Sequence, residues 1–376
     1  YHTLTQSADQ ENLIFSPYGV VSAFSAAYAG AAGETEAEMV QFLHFLPQSE
    51  QHSRYRTINC YLTSLANDAE PINQGMGEQP IPFQLQIANG LWQQAGFPFS
   101  QDYLGTIAEN YSADLQTVNF VTGSPQVVEQ INQWVRQKTA GRIQELVTND
   151  EVTSATRLVI ANAIYFKASW LIPFSPLQTQ VQPFALRNGD QVMVPLMHNT
   201  LRASYLKAEG YQAALLPYFL PAIDKRVEMV ILVPDPERFS EIEQSLDLAT
   251  VADTVANAEP YELTLALPKF ELNHRLDLRK VLSAIGLQAP FEPAQANFSR
   301  ITGGENGLYI SAAIQQATIT VDEQGTEAAA ATGIPMPVSK VEPAELIVNR
   351  PFIYAIRETE SNAILFLGRV VNPVSY

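Results

Sequence analysis

The sequence predicts an α+β fold. Helix signals crowd roughly the first 150 residues, long strand signals follow without regular alternation, and no repeat, low-complexity tract or Pro/Gly/Ser-rich linker divides the 376-residue chain. With 46% hydrophobic residues there is enough apolar surface for a sizeable core. No apolar run reaches the ~18 residues of a membrane-spanning helix, so no membrane role is expected. Tyr1-His2-Thr3-Leu4 lacks a basic segment followed by an apolar one, which implies that a signal peptide is absent or already removed.

The elements follow in order. Ser16-Pro17 reads as an N-cap with proline at the first helical position, opening a small apolar helix that runs to about Gly30. Thr35-Glu36-Ala37-Glu38 reads as a capping box ahead of Met39, Val40 and Leu43. Glu70–Pro82 is a polar surface loop carrying Gly75, Gly77, Pro80 and Pro82. Ser124-Pro125 starts another helix, whose Val127, Val128, Ile131, Trp134 and Val135 form one apolar stripe that Gly141 ends. Arg157–Phe166 is a continuous apolar strand, buried on both faces. Val227, Met229, Ile231 and Val233 alternate along a second strand, and Leu263, Leu265 and Leu267 along a third before Pro268. Ala317–Val321 and Ile364–Val371 complete the set.

A formal net charge of -17 repels phosphate and sulfate backbones, which argues against nucleic acid or heparin as partners. The one basic stretch, Arg275–Lys280 with Lys269, is interrupted by acids and reads as a solvated face. Cys60 stands alone, so no intrachain disulfide forms, and a buried or inert thiol is expected. The compartment stays open, with an extracellular or periplasmic location favoured over a cytoplasmic one.

Catalytic signatures are missing. There is no Gly-x-Ser-x-Gly elbow, phosphate-binding glycine loop or dinucleotide fingerprint. His2, His44, His52, His198 and His274 are scattered singly, with none of the three- or four-residue spacings that set two metal ligands on one helix face. No metal, cofactor or enzyme activity is expected, and the weight shifts toward binding or inhibition.

The segment Val321-Asp322-Glu323-Gln324-Gly325-Thr326-Glu327-Ala328-Ala329-Ala330-Ala331-Thr332-Gly333 stands out. Its composition also suits a flexible linker or a short helix. Read with period two, Thr326, Ala328, Ala330, Thr332, Ile334, Met336 and Val338 share one face, which is small or apolar and uncharged. Glu327 lies on the other face and can stay in water. A strand that must slide between two existing strands needs this profile.

This segment resembles the hinge of the reactive loop in serpins, and motifs along nearly the whole chain carry the same resemblance. They are Asn12-Leu13-Ile14-Phe15-Ser16-Pro17, Asn89-Gly90-Leu91-Trp92 and Ile131-Asn132-Gln133-Trp134-Val135 with Thr139 and Gly141. Next come Ala161-Asn162-Ala163-Ile164-Tyr165-Phe166-Lys167 with Trp170 and Phe174, then Leu267-Pro268-Lys269-Phe270, Asn349-Arg350-Pro351-Phe352 and Phe366-Leu367-Gly368-Arg369-Val370-Val371-Asn372-Pro373. The resemblance, to an inhibitory and prokaryotic serpin, implies one domain over residues 1–376 with three β-sheets, a large central sheet A and about eight to nine helices. An exposed reactive loop would run from about 323 to 345. The implied activity is single-use inhibition of a serine protease, or of a cysteine protease. The protease forms an acyl-enzyme on a bait bond, and the cleaved loop then inserts into sheet A and distorts the enzyme. Such a native state is a kinetic trap above a more stable inserted form.

The resemblance also implies site residues. Ser16 and Asn162 match the polar cluster under sheet A, called the shutter, where Gln315 stands in place of the expected histidine and Gly19 in place of a common serine. Trp170 and Glu323 match the breach, where insertion begins. The hinge is Glu323, Gly325, Thr326, Glu327, Ala328, Ala329, Ala330, Ala331 and Thr332. Counting about sixteen residues from Glu323 gives the bond Ser339-Lys340, whereas counting back from Asn349-Arg350-Pro351-Phe352 gives Lys340-Val341. The first suits elastase- or subtilisin-like targets, the second trypsin-like ones. Pro335 and Pro337 would each omit a ladder bond late in insertion. Only about eleven residues precede Asn12-Leu13-Ile14-Phe15-Ser16-Pro17, which implies either a trimmed chain or a short first helix, and the protein is expected to be a monomer. The alternatives are a non-inhibitory serpin with a carrier, chaperone or storage role, and an unrelated hydrolase.

Overall fold

The computed structural model describes residues 1–7, 11–67, 83–220, 226–304, 307–326 and 342–374. The expected loop at Glu70–Pro82 lies outside them. In chain order the helices are α1 (His2–Ser7), α2 (Pro17–Tyr28), α3 (Gly33–Leu43), α4 (Gln48–Asn67), α5 (Gln101–Asn110), α6 (Phe120–Lys138), α7 (Phe239–Ser245), α8 (Leu248–Asn257), α9 (Leu278–Ala284) and α10 (Ser299–Thr302). These are ten α-helical segments among the described residues rather than eight or nine, and the two shortest are single or near-single turns.

The cap at α2 forms as expected, with the Ser16 hydroxyl accepting from Gly19 N at 2.8 Å. The capping box at Thr35 does not form. Helix α3 starts two residues earlier, at Gly33, whose φ of 58° makes the entry turn. Thr35 is buried inside the helix, and its hydroxyl accepts instead from Asn297 N at 2.9 Å. Helix α6 also starts before Ser124-Pro125. Asn119 caps the first turn through Thr122 N, Gly123 breaks the backbone at φ -143° and ψ 32°, and Pro125 restarts the helix. Cys60 is exposed, not buried, because it lies on the face of α4 away from the packed Tyr55 and Leu62.

The strands form two hydrogen-bonded networks. The larger has nine strands: β1 (Leu13–Phe15), β5 (Gln180–Ala185), β6 (Gln191–Ala208), β7 (Tyr211–Pro217), β8 (Val227–Pro234), β9 (Glu259–Pro268), β13 (Pro343–Ile347), β14 (Phe352–Glu358) and β15 (Ile364–Val370). It is continuous because β6 is 18 residues long: its start pairs with β5, its middle with β9 and its end with β7. One long strand therefore stitches together what the resemblance implies are separate sheets, so two networks stand where three sheets are expected. The smaller network holds β2 (Gln84–Gln94), β3 (Ala113–Val118), β4 (Leu158–Ser169), β10 (Phe270–Asp277), β11 (Ile310–Val321) and β12 (Gly325–Thr326), in the order β10-β11-β12-β4-β2-β3.

The main core fills the space behind this six-stranded sheet. On its other face, α6 and residues 139–152 cover a second apolar layer. Strand β4 is buried on both sides as its unbroken apolar run predicts: Ile160, Ile164 and Phe166 face the main core, while Val159, Ala161 and Ala163 face α6. Strand β8 divides its side chains likewise, with Val227, Met229, Ile231 and Val233 in the main core and Val230 and Leu232 in a third cluster.

Candidate functional site

Strands β11 and β4 run parallel and pair directly from Ile310/Leu158 to Thr318/Tyr165. Beyond that point they part. The opening is taken by β12, antiparallel to both, with Thr326 opposite Val321 and Ala168 and Gly325 opposite Ser169. A tight turn delivers it: Asp322 N donates to Gly325 O at 2.9 Å and Gln324 N to the Asp322 carboxylate at 2.9 Å. Gly325 has φ 150°, and a Cβ there would sit 2.1 Å from Ala168 O, so only glycine fits. Thr326 is fully buried, and its hydroxyl shares a 2.9 Å hydrogen bond with Tyr218. Tyr218 in turn stacks on Trp170 at 4.6 Å.

The top of this opening is tied down around Glu323. Trp170 Nε1 donates to Asp322 O at 3.0 Å, Trp170 N to Gln324 O at 2.8 Å, and Phe174 N to Glu323 O at 2.7 Å. The Glu323 carboxylate accepts from Thr179 Oγ1 at 2.7 Å and pairs with Lys269 Nζ at 2.5 Å. Lys269 is thus paired with an acid rather than lying on a solvated face. Burial raises the Glu323 pKa, but the bonds from Lys269 and Thr179 outweigh it, and the net value falls below 4.5. Neighbouring Asp322 moves the other way, raised by burial first and by the Glu323 charge.

A depressed carboxyl pKa stabilises the fold above the ordinary value and stops doing so as pH falls through the folded one. The tie at Glu323 should therefore weaken below about pH 4.5, while Asp322, raised, has the opposite sign. Glu323→Gln separates the two. The wild type should lose more thermal stability than the variant between pH 5 and about pH 3, as read from the melting midpoint. Parallel losses would show that Glu323 carries no such tie.

Below the opening, under the paired part of the sheet, lies a fully buried polar cluster. Gln315 accepts from Ser16 N at 2.8 Å, and its amide donates to Ser16 O at 3.0 Å and to Asn162 Oδ1 at 2.8 Å. The Asn162 amide donates to Asn89 Oδ1 at 2.8 Å, and the Asn89 amide to Ser22 Oγ at 2.6 Å. Ser22 and Tyr55 share a 2.5 Å bond. Gly19 makes room, since a Cβ there would fall 2.5 Å from Asn162 Oδ1 and 2.8 Å from Gln315 Nε2. The longer glutamine and the missing side chain at 19 are complementary. Sequence reasoning found Ser16, Asn162 and Gln315 but missed Asn89, Ser22 and Tyr55. Asn89 did sit in a quoted motif, on a strand whose alternation points it the same way as Asn162, its direct partner across β2 and β4.

A model of one family, described as Serpin (serine protease inhibitor), matches residues 1–373. The chain belongs to the serpin family. Relatives of this serpin include an uncharacterized serpin-like protein of Thermococcus kodakarensis, 34% identical over 98% of this chain and 82% of its own length. That archaeal protein accords with the prokaryotic expectation. The leukocyte elastase inhibitor of Xenopus tropicalis is 32% identical over 96% of this chain and 93% of its own. Among solved structures, thyroxine-binding globulin in complex with thyroxine superposes with a TM-score of 0.83 at 25% identity, covering 100% of this chain and 96% of that one. Uncleaved ovalbumin superposes with 0.84 at 25%, covering 99% and 96%. Serpins are protease inhibitors as a family and not enzymes, although the fold also serves proteins with other roles.

Gly325 and Thr326 of the expected hinge thus lie in β12 of the six-stranded sheet, Trp170 and Glu323, expected at the breach, meet at the top of its opening, and Ser16, Asn162 and Gln315, expected at the shutter, form one cluster below it. The remaining hinge residues Glu327, Ala328, Ala329, Ala330, Ala331 and Thr332, and the bait residues Ser339, Lys340 and Val341, lie outside the described residues, as do Pro335 and Pro337. No metal-holding group of His, Cys, Asp or Glu side chains occurs among the described residues.

Proposed function

We propose that this serpin is inhibitory and traps serine proteases by inserting its cleaved reactive loop between β11 and β4. The observation that carries the reading is β12, where Gly325 and Thr326 already lie between those strands in antiparallel register. Continued by sequence alone, that register would set Ala328 opposite Ile319 and Phe166, Ala330 opposite Ala317 and Ile164, and Thr332 opposite Gln315 and Asn162. A slot of this depth takes small uncharged side chains, and the sequence supplies them. The direct β11–β4 pairing leaves the slot closed below β12, as an uninserted loop requires.

We read residues 1–376 as one domain with the reactive loop at about 323–345, acting as a monomer without cofactor. The bait bond is Ser339-Lys340 or Lys340-Val341. The elastase inhibitor among its relatives supports a protease target in general. A carrier role, suggested by the thyroxine-bound neighbour, is disfavoured by the uncharged run Ala328–Thr332.

Incubation with trypsin, chymotrypsin, elastase and subtilisin should yield, on denaturing gels, a covalent species heavier than either partner. The mass of the released C-terminal peptide identifies the bond. Plain cleavage with undiminished protease activity would rule the function out.

A further inference from the structure

Helix α6 and the chain that follows it form a strap over the outer face of the six-stranded sheet, and this strap is anchored on both edge strands. At the β3 edge, Asp114 accepts from Trp134 Nε1 at 2.7 Å and pairs with Lys138 Nζ at 2.9 Å. At the β10 edge, Arg275 donates through Nε to Leu146 O at 2.7 Å and through Nη2 to Glu151 at 2.5 Å. The strap is stiff between these points. Asn132, on α6, accepts from Leu146 N and Val147 N and donates to Val147 O, while Glu151 also accepts from Thr148 N and Oγ1. The β11/β4 seam lies beneath its middle, with Ala312 and Ile314 on one side and Val159, Ala161 and Ala163 on the other packed into the same layer.

Adding a strand to that seam moves β10 away from β3 by about 4.8 Å. A hydrogen bond of 2.5–2.7 Å cannot stretch so far, so one anchor must release. The β3 anchor is backed by apolar contact, because Trp134 packs edge-on against Trp92 of β2 at 4.9 Å and Val127, Ile131 and Val135 pack in the same layer. The β10 anchor is polar and partly wet, with the Arg275 and Glu151 side chains 31% and 28% exposed, so water can replace its bonds. At the foot of the seam, Tyr309 OH donates to Ala155 O and Arg157 N to Ser311 Oγ, and these bonds come under load only at full depth.

We propose that Arg275 is a latch: its bonds to Leu146 and Glu151 hold the seam shut from above, and their rupture is a step in opening it, with α6 travelling as one body with β2, β3 and β4. Arg275 is a positioning residue, remote from any bait bond. The proposal rests on the insertion reading, and its test separates the two by using a probe that needs no protease. A synthetic peptide with the sequence of residues 326–338 is incubated with the intact chain, and uptake is followed by the rise in melting midpoint. Arg275→Ala should take up peptide about tenfold faster than wild type and Arg275→Lys at an intermediate rate. Asp114→Ala, which cuts the other anchor, should stay within about twofold. Glu151→Gln should also accelerate uptake, by about threefold, which keeps the test open if Arg275→Ala fails to fold. General loosening would speed uptake in Asp114→Ala as much as in Arg275→Ala, and that result overturns the latch, as does an unchanged rate in both Arg275→Ala and Glu151→Gln. Faster peptide uptake by Arg275→Ala and Glu151→Gln, in a protein whose wild type never forms a covalent complex with a protease, supports the latch and overturns the inhibitory function.

Discussion

Thr326→Arg is expected to convert an inhibitor into a substrate. Thr326 is fully buried, has β11 and β4 on either side, and bonds the Tyr218 hydroxyl beneath it. A guanidinium at this point would have to enter a layer made of Tyr218, Trp170 and Phe166, where its charge loses its water. The first hinge residue after the Gly325 turn would then be expelled. Under the proposed function insertion proceeds from this end, so the rest of the loop could not follow before the acyl-enzyme hydrolyses. The bait bond itself is far along the chain, so attack should proceed at the wild-type rate. The measurable result is partitioning: moles of serpin consumed per mole of protease trapped should rise at least tenfold, with cleaved chain accumulating in place of covalent complex. Thr326→Val removes only the hydroxyl and should still trap protease. Unchanged stoichiometry for the arginine variant would refute insertion at this point.

Replacing Gln315 by leucine should have the largest effect on stability. The change removes one side chain and strips partners from two buried groups, Ser16 N and Asn162 Oδ1, while Ser16 O keeps its bond from Val20 N. At ~1–3 kcal/mol for each orphaned group, the loss is roughly 2–6 kcal/mol. The melting midpoint of the uncleaved chain should fall by several degrees. The same bond from Gln315 to Asn162 also bridges β11 and β4 directly, so its loss should speed spontaneous opening of the seam, read as faster loss of inhibitory activity on storage. A variant melting within a degree of wild type would show that water satisfies these groups. A glutamine does not ionise, so the bridge keeps the same bonds from pH 5 to 8, unlike one built on histidine.

The fold and the site were legible to different depths. Apolar runs such as Arg157–Phe166 identified a strand buried on both faces, because a run with no polar side has no side to give to water. Local capping signals were weaker. Thr35 looks like a cap, yet its hydroxyl is taken by Asn297 from 262 residues away, a tertiary partner that no local window contains. The continuity of the larger sheet was equally out of view, since it depends on the length of β6 and the three partners along it. In the site, Ser16, Asn162 and Gln315 were found through motif resemblance, and Asn89 was missed because its role exists only across the β2–β4 ladder. Arg275 was misread as part of a solvated charged face, for the same reason: its partners Leu146 and Glu151 lie more than a hundred residues upstream.

The parallel sense of the β11–β4 ladder has a thermodynamic consequence. Parallel ladders are slightly weaker per residue than antiparallel ones. A loop entering with the polarity of β12 would exchange one parallel ladder for two antiparallel ladders, doubling the number of backbone pairings along that length. Under the proposed function, much of the driving force is then a property of chain direction, written into the connectivity of the backbone and common to any side chains small enough to pass. On that reading, residues such as Gln315, Gly325 and Arg275 would set when the spring is released, and the topology how strongly it recoils.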